Sequence, residues 1–198
     1  LFVAQFFLFL SLPFAAQAEI PALSSPITDL TGSLASGQKQ QLEQKLAQLE
    51  REKGSQVSVL LVPTTAPETI EQYSMRVAEK WKIGRQHIDD GVILIVAKND
   101  RKLRIEVGYG LEGALNDATC KRIIEEIIKP FFKQGDLFSG INAGIDAIAA
   151  VVRGEPLPAP GVAESRSDLI PAIFFLLFVG FFIVMGMLHP QQVGRHRG

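Results

Sequence analysis

Cysteine is almost missing from this chain: Cys120 is the only one in 198 residues. No intrachain disulfide can form. The residue sits in "DATCKRIIEEII", a helical pattern in which a lone cysteine suits the core as a small apolar side chain. Histidine is scarce as well, with His87, His189 and His196 making up the full set of 3. Two of these lie beyond a long apolar run near the C-terminus. A Cys-His nucleophile, a Ser-His-Asp triad and a histidine-rich zinc site therefore drop out of the reading. An excess of one charge is lacking too: 20 Lys and Arg stand against 21 Asp and Glu, for a net charge of −1. The charges are interspersed, with no basic stripe to track a phosphate backbone, so no nucleic-acid partner is expected. The stretch "GYGLEG" has no Walker lysine and precedes no nucleotide fingerprint, which argues against a nucleotide cofactor. No internal repeat is present.

Apolar residues are plentiful, at 47% of the chain, and they gather at its ends. Residues 1–18, "LFVAQFFLFLSLPFAAQA", close on Ala16-Gln17-Ala18 and read as the apolar region and small-x-small cleavage site of a signal peptide. An uncleaved anchor helix is the competing reading, weakened by the shortness of the run and by Pro13. Residues 169–188, "LIPAIFFLLFVGFFIVMGML", carry no charge and match the length needed to cross a bilayer core of about 30 Å. The tail, 189–198, has Arg195 and Arg197, which favour the cytoplasmic side, and it is expected to continue past Gly198. Between these segments lies an exported domain, 19–153. The linker 154–168, "GEPLPAPGVAESRSD" in its bulk, cannot bury apolar surface and should stay extended or mobile. The expected arrangement is a single-pass membrane protein, held in the bilayer by its C-terminal helix, with its domain on the extracytoplasmic side, which in a Gram-negative bacterium is the periplasmic side of the inner membrane.

Within the domain, Leu42, Leu46 and Leu49 mark a helix over 36–53, with Ser36 as its expected cap and Gly54 in the left-handed position past its end. "QVSVLLVP" is a strand stopped by Pro63. Pro67 is expected to open a second helix, to Lys82, burying Ile70, Tyr73, Val77 and Trp81. "GVILIVA", 91–97, is apolar without alternation and reads as a central strand buried on both faces. "KLRIEV", 102–107, alternates, with Leu103, Ile105 and Val107 inward and Lys102, Arg104 and Glu106 toward solvent. The "KNDR" turn joins the two as a hairpin. A helix from Asp117 to Lys133 should kink at Pro130, and another runs from Asp136 to Arg153. Strand, helix, strand implies a parallel crossover, and the next strand returns antiparallel. The result is an α/β domain with a short mixed sheet and helices on both faces.

The hairpin sorts the polar residues into two groups. Asp89 and Asp90 enter the central strand at the end where Gly108-Tyr109-Gly110 leaves its neighbour, and Asp117, read as a helix cap, follows soon after. Carboxylates beside a glycine-rich turn suit Ca²⁺ or Mg²⁺, with Gly108 and Gly110 letting backbone carbonyls approach a ligand. Asn99, Asp100 and Arg101 lie at the opposite end, about 23 Å away along a seven-residue strand, where open α/β sheets bind ligands. Arg101 suits a phosphate or carboxylate there. Both groups are also ordinary turn and cap chemistry, and the residues alone leave that choice open. Tyr109, between glycines, is expected to be exposed and to serve in recognition.

Four stretches, "ITDLTGSLASGQKQQLEQKLAQLE", "GSQVSVLLVP", "EKWKIGRQHIDDGVILIVAKNDRKLRIEVGYGLEGALND" and "FFKQGDLFSGI", together resemble the TPM-domain family in its bacterial membrane-anchored, YgcG-like branch. Relatives of that family include a thylakoid-lumen acid phosphatase, a photosystem II repair protein and an acetylcholine-receptor auxiliary protein. The resemblance runs from about residue 27 to 148. It implies a three-layer α/β/α sandwich of Rossmann-like type. It also implies divalent cation binding, attributed to some relatives, with Asp29 matching an acidic position of the family's opening motif and joining the expected acidic end. Asp89-Asp90-Gly91 departs from the family's usual Asp-Asn-Gly by one extra carboxylate.

On function, the expectation is a membrane-tethered binding or auxiliary module for the assembly or maintenance of a membrane-protein partner. A divalent cation would order the acidic end. The alternative is a cation-dependent acid phosphatase acting on phosphomonoesters, for which the sequence shows acids but no aspartyl-nucleophile pattern with a supporting lysine.

Overall fold

A computed structural model describes residues 17–158 together with Pro160 and Phe178. The expected signal peptide up to residue 16, nearly all of the expected membrane span and the tail lie outside the described residues. Among those described, no helix is long and apolar enough to cross a membrane.

Four strands form one mixed sheet in the order β1 (Ile27–Asp29), β2 (Gln56–Val62), β3 (Gly91–Ala97), β4 (Lys102–Val107). The first three are parallel and the fourth runs back along β3. β1 escapes a pattern reading because three residues show no period. The helices are α1 (Ser36–Lys53), α2 (Ile70–Trp81), α3 (Asp117–Arg122), α4 (Lys129–Lys133) and α5 (Leu137–Arg153), with a π-helical stretch, Ile123–Ile128, joining α3 to α4.

All seven residues of β3 are buried, as the absence of alternation predicts, and two cores account for it. Val57, Val59, Leu61, Val92, Leu94, Val96 and Ile105 face α1, the α3–α4 run and α5. Leu60, Val62, Ile93, Ile95 and Ala97 face α2. Helices thus cover both faces, and the two cores close within residues 18–157. β4 is less wet than its alternation suggests. Glu106 accepts hydrogen bonds from Ser74 Oγ of α2 at 2.6 Å and from Arg104 Nε at 2.7 Å, so the charged face of β4 is partly roofed by α2.

Several helix ends differ from the sequence expectation for local reasons. Pro67 lies before α2, in a loop with a cis Ala66–Pro67 bond. Thr69 is the cap of α2, its hydroxyl accepting from the Gln72 N–H, a capping-box arrangement that a proline cannot supply. Ala35 precedes α1 as its cap residue, and Gln38 reaches back to the Ala35 N–H at 2.9 Å. Asn116, not Asp117, caps α3. Pro130 perturbs its helix through the π-helical stretch before it. A proline donates no backbone bond to the carbonyl four residues back, and the wider turn, with the Lys129 N–H reaching Ile124 O, accommodates that gap.

Residues 18–21, which have no periodicity, lie along α2 as a strap. Arg76, Tyr73, Lys80 and Trp81 donate in turn to the carbonyls of Ala18, Glu19, Ile20 and Pro21, at 2.7–3.0 Å. Glu68 accepts from the Ala18 N–H at 3.2 Å and pairs with Arg76. Ile20 is buried in the α2-side core.

Candidate functional site

The sheet register assigns every singled-out residue to one end or the other. Gln56 lies opposite Gly91, and Val107 opposite Val92. The starts of β2 and β3 therefore share an end with the finish of β4. Asp29 lies opposite Leu61 in the parallel β1–β2 pair, five residues along β2, roughly 17 Å from the Gln56 row. Asp29 thus sits at the end of the 98–101 turn and does not join Asp89 and Asp90. Its carboxylate organises the loop after β1, accepting from the Thr31 N–H, the Thr31 hydroxyl and the Leu34 N–H at 2.6–2.9 Å.

At the first end, Asp90 is buried and fully engaged. Its carboxylate takes the Arg85 N–H at 2.8 Å, Arg85 Nε at 2.9 Å and Nη2 at 2.6 Å, and Ser55 Oγ at 3.3 Å. Burial pushes this carboxyl up, but the Arg85 guanidinium and backbone N–H more than reverse that and hold it below its ordinary value. Asp90 therefore ties the 84–91 loop to the start of β2. Arg85 was not anticipated, and its only signal is a cation five residues ahead of an aspartate in a Gly-flanked loop.

Asp89 points the other way and is exposed. Its backbone is left-handed, at φ +55°, as is that of His87 at +68°. The Asp89 carbonyl accepts the Gly110 N–H at 3.0 Å. The glycines expected to admit a ligand instead admit the chain itself. A Cβ on Gly108 would stand 2.1 Å from the Asp89 carbonyl oxygen, and one on Gly110 2.1 Å from that of Ile88. "GYG" is thus clamped under the 85–91 loop. Asp117, exposed on the first turn of α3, is not in this contact set.

Clamping leaves Tyr109 81% exposed on a fixed backbone. Beside it opens a pocket of about 590 Å³ lined by Ala78, Lys82, Ile83, Asp89, Ile93, Glu106 and Tyr109, among others. Its carboxylates are Asp89 and Glu106, the latter already accepting two hydrogen bonds. Ca²⁺ takes six to eight oxygens. Among the described residues, no group of three or more His, Cys, Asp or Glu could hold a metal ion. The four aspartates expected to share a cation do not fit one: Asp29 is at the other end, Asp90 is neutralised by Arg85, and Asp117 lies outside the pocket.

At the opposite end, Asp100 staples the turn to the end of β2. It accepts from Thr64 Oγ1 at 2.8 Å and from the Thr65 N–H at 2.9 Å. The Thr65 N–H contributes most to holding its carboxyl below the ordinary value. The Asn99 N–H donates to Pro63 O at 2.8 Å. Of the three turn residues, Arg101, at φ +54°, lines a second pocket.

The comparisons with known proteins agree with this architecture. The model of the TPM domain matches residues 27–151. A solution structure of the N-terminal domain of a P. gingivalis protein is 28% identical, covering 65% of this chain and 82% of its own, with a TM-score of 0.61. The BA42 protein of Bizionia argentinensis, at 19% identity, covers 69% of this chain and 94% of its own with a TM-score of 0.56. The N-terminal domain of the cg2496 protein of Corynebacterium glutamicum, at 14%, covers 70% and 86% with a TM-score of 0.52. The last two support the fold alone. No curated protein gives a significant match.

Proposed function

Because the chain belongs to the TPM-domain family, whose members include phosphatase-like proteins, the question is which activity this member's own residues favour, and we propose that it is a binding module. In this reading the domain is tethered at the outer face of the cytoplasmic membrane and recognises a segment of a membrane-protein partner or assembly intermediate. The contact surface is the Tyr109 end of the sheet. One observation carries the proposal: a large aromatic side chain is 81% exposed on a backbone pinned by the Gly108 and Gly110 contacts, beside a pocket lined by both apolar and charged side chains. A tyrosine on a rigid support offers contact area at low entropic cost, which is why such residues dominate binding hot spots. The expected tether would raise the effective concentration for partners in the same membrane.

The test is site-specific photo-crosslinking in the native membrane. A photoreactive phenylalanine analogue is placed at Tyr109, at the exposed Ile88 and, as a control, at Lys39 on α1. A discrete adduct is expected at the first two positions only, lost when excess unlabelled domain is present. Equal labelling at all three positions, or none at Tyr109, would sink the proposal.

The enzymatic alternative is a phosphatase acting on phosphomonoesters. It has in its favour the family membership and the exposed Asp89 carboxylate in the same pocket. Since the carboxylates fall short of a cation's needs, no hydrolytic step is derived through a metal. A Ca²⁺ or Mg²⁺ titration followed by amide shifts separates the readings. Saturable shifts at residues 89–91 and 108–110, with phosphomonoester turnover lost in a folded Asp89→Ala variant, would favour the enzyme.

A further inference from the structure

The second pocket, at the far end of the sheet, is independent of the Tyr109 surface. It has a volume of about 710 Å³, within the range of small-ligand sites. It lies where β3 ends and β4 begins, against α4 and the start of α5. Lys98, Arg101, Lys102, Lys129 and Lys133 line it, and no carboxylate does. Its floor is apolar: Val96, Leu103, Phe132 and Leu137.

The neighbouring charges leave this cationic character largely intact. Asp100 is turned to Thr64 and Thr65. Lys129 pairs with Glu125 across one helical turn on an exposed face, an interaction of small worth. Lys98 donates to the neutral Ser33 hydroxyl. Among the described residues, Arg101 and Lys133 form no ion pair with a described carboxylate, while Lys102 belongs to the α2 face of β4, where its charge acts on Asp100 and Glu71. In a chain of net charge −1, the four cations Lys98, Arg101, Lys129 and Lys133 around one apolar hollow are a local concentration that folding stability does not require, since like charges repel.

We infer that this pocket binds the headgroup of an anionic phospholipid, with the phosphate among the lysines and Arg101 and the first part of the acyl region over Phe132, Leu103 and Leu137. Two features select this ligand. Free phosphate would use the cations and leave the apolar floor in water. An apolar peptide would use the floor and leave the cations unanswered. A phosphate ester on a hydrocarbon body answers both, and basic pockets beside membranes bind such headgroups.

The isolated domain suits the test, since both cores close within residues 18–157 and the relatives' N-terminal domains were solved alone. Residues 17–158 are sedimented with phosphatidylcholine vesicles, with and without phosphatidylglycerol. Binding is expected only with the anionic lipid, falling with salt and weakening about fivefold for each pocket cation removed. The variants are Arg101→Asn, which suits the left-handed backbone, Lys129→Gln and Lys133→Gln, with Lys39→Gln and Arg122→Gln as surface controls outside the pocket. No binding to anionic vesicles would overturn the inference. So would equal losses in the controls, which would mean diffuse attraction. Saturable amide shifts at 101–103 and 132–137 with inorganic phosphate or an acidic peptide, without vesicle binding, would overturn the lipid assignment.

Discussion

Asp89 and Asp90 are adjacent in the chain and opposite in role. Asp90 is 2% exposed and holds four hydrogen bonds, whereas Asp89 faces solvent. Replacing Asp90 with asparagine should cost about 2 kcal/mol, the scale of charged hydrogen bonds lost in a buried setting, while Asp89→Ala should stay within about 0.5 kcal/mol. Urea unfolding measures both. The pH dependence follows from Asp29 and Asp90. In each, burial raises the carboxyl and hydrogen bonds, from Thr31 and Leu34 or from Arg85, bring it below the ordinary value. Such groups add stability above their unfolded pKa, near 4, and lose it as pH falls through the folded value. The melting temperature should hold from neutrality to about pH 5 and drop below about pH 4. Asp90→Asn should begin lower and drop less. At Cys120, burial raises the thiol to about 11, so a disulfide reagent at mildly alkaline pH should react only after unfolding. An adjacent pair of aspartates is legible in sequence, but which one is buried depends on where Arg85 lies, and no periodicity reports that.

The elements marked by an apolar stripe or an unbroken apolar run, α1, β2, β3 and β4, stand where the sequence places them. In α1 the spacing of the leucines selects the buried side, and in β2 and β3 the run itself reports burial on both faces. What was not legible has no period: β1, held by backbone pairing to β2, and the 18–21 strap and the capping of α2 by Thr69 in place of Pro67, held by side-chain-to-backbone bonds. β1 carries one defect of its own. Thr28 Oγ1 is buried without a hydrogen-bond partner among the described residues. Thr28→Val keeps the branched shape and removes the unpaired hydroxyl, so it should be neutral or stabilising by up to about 1 kcal/mol. Thermal melts of the two proteins decide this, and a clear loss would mean that the hydroxyl has a partner in solution.

Taken as a whole, the described domain has two ends that share a sheet and no side chain. The clamp, Tyr109 and Asp90 lie at one end; Asp29, Asp100 and the cationic pocket lie at the other. Sites that far apart with no common partner should act independently. Asp90→Asn combined with Arg101→Asn should therefore cost the sum of the single changes to within about 0.5 kcal/mol, and a larger discrepancy in a double-mutant cycle would show coupling through the strands. The division into two ends was legible from the hairpin alone. The membership of Asp29 was not, because it depends on the pairing of a three-residue strand.

The clamp also orders events in time. Its two halves, the carbonyls of Ile88 and Asp89 and the glycines 110 and 108, are separated by the whole β3–β4 hairpin. They can meet only after both strands have formed and found their register. The expectation is that the loop closes late, after the barrier to folding has been crossed. Gly108→Ala, which forces a Cβ against the Asp89 carbonyl, should cost about 3 kcal/mol. Nearly all of that should emerge as faster unfolding, with the refolding rate almost unchanged. A chevron in urea would show it, with only the unfolding arm displaced. The rim that presents Tyr109 would then be the last part of the domain to set and the first to let go.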